Sequence, residues 1–217
     1  MKLSLQKIYP ITDRNLSGLS HAEQVARFID GGATLIQIRD KNLSSGEFYA
    51  DAEAAVKIAR EAKVRILIND RVDIALMTAA DGVHLGQDDL PAAAARKLLG
   101  MDAVIGISTH SIQQIREALV DGNADYIAFG PIFPTSTKTD HEPLVGLEEL
   151  VEARELHGDI PLVAISGINR VNLASVLRAG ADSAAMISEF YLPPIEISSQ
   201  FRSLLLEAQA NNTVLTS

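Results

Sequence analysis

Short β-branched and apolar runs alternate with amphipathic stretches from one end of the chain to the other, and the alternation repeats eight times. Ile8 to Thr12 reads as a strand. A helix follows at Ser20 to Ile29, with Val25, Phe28 and Ile29 apolar and His21, Glu23 and Gln24 polar. Gly31-Gly32-Ala33 stops it, as glycine does at a helix C-terminus. Thr34 to Ile38 is the second strand, and Ser44 with Glu47 three residues on carries the capping-box signature of a long helix ending near Ala62. Arg65 to Ile68 is strand three, with a short helix at Val72 to Thr78. Gly82 to Leu85 is strand four, after which Pro91 opens an alanine-rich helix to Leu99. Strands five to eight fall at Val104 to Ile107, Tyr126 to Phe129, Leu162 to Ile165 and Ser183 to Ile187. Their helices fall at Ser111 to Val120, Leu147 to Leu156, Val171 to Ala179 and Ile195 to Ala208.

A weak internal repeat accompanies this count. Small residues recur just before strands, at Gly32-Ala33, Ala80-Asp81, Ala124-Asp125 and Gly180-Ala181-Asp182. Eight βα units within 217 residues predict an α/β fold, a (β/α)8 TIM barrel of eight parallel strands buried on both faces, with its active site at the C-terminal rim. An open doubly wound sheet is the other architecture such alternation allows, but no G-x-G-x-x-G follows the first strand. Nothing linker-like divides the chain. Residues 1–217 therefore read as a single barrel domain, with 1–5 and 210–217 expected to fray.

Composition narrows the partners. A formal charge of −9 argues against a nucleic-acid or anionic-membrane partner held by bulk charge, though local cations and backbone amides still allow an anionic ligand. The lack of cysteine excludes disulfides and thiolate zinc sites, and five scattered histidines make no zinc centre. No apolar run approaches the ~20 residues of a membrane span. Met1 to Tyr9 does not read as a signal peptide, so a cytoplasmic location is expected.

In such a barrel the chemistry sits where strands end and helices begin. Strand two runs into Gln37, Arg39 and Lys41, which alternation puts on one face, with Ile38 and Asp40 on the other. Two cations and an amide converging at a mouth suit a polyanion. A solvated strand end accounts for the charges but not for their common facing. Strand three ends in Asn69-Asp70-Arg71 and strand four in Gly86-Gln87-Asp88-Asp89. Carboxylates at neighbouring strand ends come within reach of one metal, and Mg2+ takes one or two of them with water and substrate phosphate around it. Asp70 and Asp89 are the candidate ligands. Asp89, just before Leu90-Pro91, has a second and compatible reading as a helix N-cap; either Asn69 or Asp70 could also cap, but not both.

Ser108, at the end of strand five, points into the mouth. His110 reads as a helix-cap residue, His84 as a satisfied core imidazole, and His21, His141 and His157 as surface positions. After strand six, Gly130-Pro131 breaks the ladder and opens a polar tip of Thr135, Ser136, Thr137, Lys138 and Thr139. Hydroxyls around one lysine suit phosphate oxygens, with a plain solvated loop as the alternative. Gly167 after strand seven, and Ile187-Ser188 after strand eight, occupy loops where this fold commonly binds phosphate. Two anion zones result: Gln37, Arg39, Lys41 and Lys138 beside the carboxylates, and Gly167, Ile187 and Ser188 bridged by the Thr135 to Thr137 loop.

Six segments in register, Y-P-I-T-D, Q-I-R-D-K, I-N-D-R-V-D, A-D-G-V-H-L-G-Q-D-D-L, I-G-I-S-T-H and G-P-I-F-P-T-S-T-K, resemble those of thiamine-phosphate synthases. The likeness runs from Tyr9 to Ser188. It implies a transferase with Mg2+ as cofactor, joining 4-amino-5-hydroxymethyl-2-methylpyrimidine diphosphate to a (carboxy)thiazole phosphate. The products are thiamine phosphate and pyrophosphate, with CO2 from the carboxylated thiazole. By the same resemblance Gln37, Arg39, Lys41, Asn69 and Lys138 hold the pyrimidine diphosphate, Asp70 and Asp89 the metal, and Ser108 lies against the pyrimidine. Thr135, Ser136, Thr137, Gly167, Ile187 and Ser188 would hold the thiazole phosphate. Two departures stand out: Ser166-Gly167 where the family usually has two glycines, and Glu189-Phe190-Tyr191 in place of small residues.

These residue types match a dissociative substitution in which Lys138, Arg39 and Ser108 act on the reacting groups and no nucleophilic side chain is required. A thiazole tautomerase would use the thiazole zone but has no need of a metal or a diphosphate clamp. A non-catalytic phosphate-binding barrel is the remaining alternative. Barrels often pair, so a homodimer is expected.

Overall fold

The structure is a computed structural model whose described residues are 3–135, 143–191 and 196–213, with side chains described to 210. Eight parallel strands form one sheet in the order β1-β8-β7-β6-β5-β4-β3-β2. They are β1 Ile8–Pro10, β2 Leu35–Ile38, β3 Arg65–Asn69, β4 Gly82–Leu85, β5 Val104–Thr109, β6 Tyr126–Phe129, β7 Leu162–Ala164 and β8 Ser183–Met186. The helices are α1 Arg14–Ser17, α2 His21–Gly31, α3 Ser45–Glu61, α4 Val72–Thr78, α5 Ala92–Leu99, α6 Ile112–Asp121, α7 Gly146–Leu156, α8 Leu173–Arg178 and α9 Ile197–Thr213. This is the expected (β/α)8 barrel.

Alternation along each strand sorts side chains between two cores. Ile36, Ile38, Ile66, Ile68, Val83, Leu85, Ile127 and Phe129 point outward under the helices. Tyr9, Leu35, Leu67, Val104, Tyr126, Val163 and Ile165 fill the barrel interior. Gly106 makes room there, because a Cβ on it would lie 2.0 Å from the Tyr126 ring. The inward set turns polar towards the strand ends, at Gln37, Asn69, His84 and Ser108, all buried. That change of character opens the barrel to a ligand at one end and closes it at the other.

The sheet closes between β1 and β2 by a single bridge, Ile11 to Gln37, with Thr12 N donating to Gln37 O at 2.9 Å. Ile11 N faces β8, donating to Met186 O. Alternation therefore turns the Pro10 nitrogen towards β2, where no ladder runs and the missing donor costs nothing. Lower on this seam the Gln6 side chain stands in for a strand: it donates to Gly32 O and accepts from Thr34 N, at 2.9 and 2.8 Å. Leu3 and Leu5 pack against the interior cluster.

The small-residue repeat has a structural cause. Asp81, Asp125 and Asp182 each turn a carboxylate back to the first amides of the preceding strand, at Ile66, Ile105 and Leu162, with N···O distances of 2.8, 2.7 and 2.8 Å. Arg96 and Arg154 pair with the second and third of these. Several boundaries differ from the sequence expectation. Ser20 caps α2 from outside in a full capping box, whereas Ser44 caps α3 with Glu47 as expected. β5 continues to Thr109, which pairs with Phe129 in register. α9 runs to Thr213, past the point where fraying is expected. α1 and a 3-10 turn at Ser188–Tyr191 carry too few residues for periodicity to reveal them.

Two histidines expected at the surface are buried. His21 hydrogen-bonds Thr12 and Asp40, and His157 binds Ala153 O from the end of α7. Each sits where its helix meets the body of the barrel, a contact that local polarity does not report. His141 lies outside the described residues.

Candidate active site

At the C-terminal ends of the strands lies a cavity of about 520 Å3, within the size range of small-molecule sites. Its polar side comes from β2 to β4. Gln37, Arg39 and Lys41 all face it, as their common parity requires, together with Asn69, Asp70 and Asp89. The opposite side is apolar, with Ala128, Val163, Ile165, Ala185 and Ile187 giving a floor of small and branched side chains that suits flat rings. Ser108, Thr135, Gly167 and Ser188 complete the wall. Ser136, Thr137 and Lys138 lie outside the described residues.

Asp70 sits just past β3 with φ +62, and Asp89 ends the β4 turn. Neither caps a helix. α4 begins after Arg71 and α5 after Pro91, both without a side-chain cap, whereas Asp89 accepts from Gly86 N at 2.7 Å. The turn thus aims Asp89 into the mouth, which Asp70 also lines from the end of β3. Burial raises the Asp89 pKa; the Gly86 amide opposes this, and Asp70 pushes it higher still. Lys41 Nζ lies 2.5 Å from Asp70 Oδ2. Two neighbouring carboxyl groups, only one of them paired with an exposed lysine, would gain from a hard cation. Among the described residues no group of three or more His, Asp or Glu side chains gathers as a caged metal requires. Asp70 and Asp89 side by side fit Mg2+, which is satisfied by one or two protein carboxylates.

Beneath the mouth a hydrogen-bonded chain crosses the barrel. Gln37 Nε2 donates to Tyr9 OH at 3.1 Å, Tyr9 OH meets Tyr126 OH at 3.1 Å, and Tyr126 OH meets His84 Nδ1 at 2.7 Å. His84 Nε2 then lies 2.8 Å from Ser108 Oγ. Burial raises both phenol pKa values, so the hydroxyls stay protonated. Gln37 fixes the first donor of this chain, and the His84 tautomer sets the direction of the links on either side of its ring. With Nε2 protonated, the Ser108 hydroxyl keeps its own proton to donate into the cavity.

His84 is the satisfied imidazole expected, and it also lines the cavity, as does Tyr9. Both share the inward parity of Asn69 and Ser108, the signal that could have marked them. His110 lines the mouth as well, and its Nδ1 holds Gly130 O at 2.6 Å, while Ser111 is the cap of α6.

The β6 exit and the β7 exit are built together. Gly130-Pro131 is cis, and Ile132 N and Phe133 N donate to Ile165 O and Ser166 O. Val145 N returns to Pro131 O, tying the far end of the segment to its start. A Cβ on Gly167 would lie 2.6 Å from Phe133 and from Pro134 O, so glycine is required here by the neighbouring segment, at φ +68. Ser166, where the resemblance expects glycine, also holds a left-handed φ of +73. At the β8 exit the Glu189 carboxylate faces Arg170 at 4.0 Å, on the outer side of the turn. Phe190 enters the core between Phe28 and Phe201, and Tyr191 OH donates to Gln24 Oε1 at 2.6 Å. The departure in sequence thus supplies anchors for the turn that begins at Ser188.

Comparison with known proteins gives the family and the fold. The family described as thiamine monophosphate synthase matches residues 8–190. A thiamine-phosphate synthase from Clostridium novyi (strain NT) is 49% identical over 84% of this chain and 89% of its own. One from Chloroflexus aurantiacus is 45% identical over 84% and 83%. Among solved structures, a thiamine phosphate pyrophosphorylase from Pyrococcus furiosus superposes with a TM-score of 0.81 at 36% identity, covering 94% of this chain and 96% of that one.

Proposed function

The chain belongs to the thiamine monophosphate synthase family, and from that premise we propose that its cavity joins an aminopyrimidine diphosphate to a thiazole phosphate at the residues described above. The protein is an enzyme, a transferase that moves a pyrimidine moiety onto a thiazole to give thiamine phosphate. One observation supports the assignment of residues above the rest: Gln37, Arg39, Lys41, Asn69, Asp70 and Asp89 share one wall of a cavity whose floor is apolar. Cations and amides suit the diphosphate, the floor suits the rings, and the β7 and β8 exits suit a second phosphate.

In this reading Arg39 and Lys41 bind the diphosphate of the pyrimidine substrate, with Lys138 as the third cation. The bond from the exocyclic carbon to oxygen breaks, and pyrophosphate leaves with the electron pair as those cations take up its charge. The electron-rich aminopyrimidine carries the resulting positive charge, with the Ser108 hydroxyl held against the ring by His84. The thiazole phosphate is fixed at Thr135, Ser136, Thr137, Gly167, Ile187 and Ser188, so its ring nitrogen meets the carbon and forms the new bond. Where the thiazole carries a carboxylate, CO2 is lost from it. Asp70 and Asp89 would hold Mg2+, which supplies charge neutralisation at the leaving group when bound. Positioning and charge do the work, and water is kept from the cation by the apolar floor.

Mixing both substrates with and without Mg2+ and measuring pyrophosphate tests the reading. Release that depends on the metal and on both substrates is expected. Turnover of the thiazole alone, with no pyrophosphate, would instead indicate a tautomerase. Asp89→Ala is expected to lower kcat by about 100-fold, the ~3 kcal/mol scale of one lost electrostatic contact; a value within twofold of wild type removes Asp89 from the site.

A further inference from the structure

The segment that carries Arg39 and Lys41 leaves β2 at its last residue, Ile38, on the seam of the barrel where the ladder is incomplete. Gln37 O accepts from Thr12 N, so parity turns Arg39 N–H to the same side, towards β1. Among the described residues no backbone carbonyl meets it. The Thr12 hydroxyl does, at 3.3 Å. Thr12 Oγ1 in turn lies 2.8 Å from His21 Nδ1, and His21 Nε2 lies 3.2 Å from Asp40 Oδ2. The other oxygen of Asp40 accepts from Asn42 N and Leu43 N, at 2.7 and 2.8 Å.

The chemistry of these groups allows one consistent direction. A carboxylate only accepts, so His21 Nε2 carries the proton it gives to Asp40. Burial lowers the His21 pKa against the pull of Asp51 and Asp40, which leaves a neutral ring whose Nδ1 accepts. Thr12 must then donate to Nδ1, and its lone pairs are left for Arg39 N–H. Thr12 and His21 are fully buried and the Asp40 side chain is 7% exposed, so none of these bonds has water as a ready substitute. The ring is further held by Phe48, whose centroid is 5.8 Å away, and its helix start by Asp51.

We propose that Thr12, His21 and Asp40 form a buried positioning relay that fixes the Arg39–Lys41 segment for the diphosphate. The relay grips the segment on both sides, at the amide of Arg39 and at the amides that follow Lys41. Neither His21 nor Thr12 lines the cavity, and both act through the backbone that carries the two cations. The inference rests on the diphosphate reading of Arg39 and Lys41 given above.

Thr12→Val keeps the shape and removes both hydroxyl bonds; Asp40→Asn puts an amide donor where an acceptor is needed. Each is expected to weaken Mg-pyrophosphate binding, measured calorimetrically with inorganic pyrophosphate, and to raise KM for the pyrimidine diphosphate by about 5-fold to 10-fold, the effect of one hydrogen bond of ~1 kcal/mol. KM for the thiazole phosphate should stay within about twofold, the melting temperature should fall with the loss of the buried bonds, and Thr12→Ser should restore the wild-type values. Arg39→Ala is the control for the underlying reading. If it leaves pyrophosphate binding unchanged, that reading fails and the relay with it. If Arg39→Ala weakens binding while Thr12→Val and Asp40→Asn do not, the relay alone is overturned. Equal rises in both KM values would mark the three residues as packing and also overturn it. Should Thr12→Val not fold, Asp40→Asn decides by the same criteria.

Discussion

At the scale of single residues, the barrel interior shows how polarity is admitted to a core. Tyr9, Tyr126 and His84 are buried, yet each hydroxyl or ring nitrogen of the chain meets a partner. Tyr126→Phe removes one partner from Tyr9 and one from His84 while leaving the ring in place. It is expected to cost about 1–3 kcal/mol, read from urea denaturation, and to lower kcat through Ser108, whose orientation depends on His84. A fall in stability without any change in kcat would separate the chain from the chemistry. Ser166 is a different case. Its left-handed φ sits where the resemblance expects glycine, and Ser166→Gly should relieve the strain and stabilise the fold by about 1 kcal/mol. Thermal denaturation reads this directly.

At the scale of elements, capping and strand-end carboxylates account for much of the register. Glu23 and Glu47 each close a capping box, and hydrogen bonds from Ser20 and Ser44 lower both pKa values. A depressed carboxylate means that the unfolded chain binds more protons in this window. The caps therefore contribute above the ordinary glutamate value of 4.5 and are lost as pH falls through the lower folded values. A Glu23→Gln, Glu47→Gln pair should flatten the decline of melting temperature between about pH 5 and pH 3. Asp125→Ala leaves the buried Ile105 amide without its acceptor and deprives Arg96 of its ion pair. A loss of about 2 kcal/mol is expected, again by urea denaturation. Asp182→Ala should match it, because Leu162 and Arg154 stand in the same relation.

Across the whole molecule, the seam between β1 and β2 is where closure is weakest and where the site depends on it most. Pro10 removes a donor, Gln6 replaces a ladder below, and a single bridge at Ile11 and Gln37 closes the rim. Gln6→Ala should speed hydrogen exchange in β1 and β2 while β4 to β6 keep their protection. Uniform exchange across all strands would mean that the seam is no softer than the rest. Gln37 and Arg39 leave from this seam, so its integrity and that of the anion-binding wall are one property.

Periodicity alone was enough for eight βα units, because inward and outward positions alternate at two residues and helix faces at three to four, and burial enforces both. It also carried Gln37, Arg39, Lys41, Asn69, Asp70 and Asp89 to one rim, since the ends of parallel strands must share an edge. What the chain read in order did not disclose is pairing across distance. His21 looks like a surface residue by its neighbours, and only the packing of α2 against the β2 exit makes it the partner of Thr12 and Asp40. Gly167 looks like a ligand-binding glycine, and the close approach of Phe133 and Pro134 gives it a steric cause. Local composition encodes which face a residue takes. Which partner waits there depends on elements that meet only once the barrel has closed.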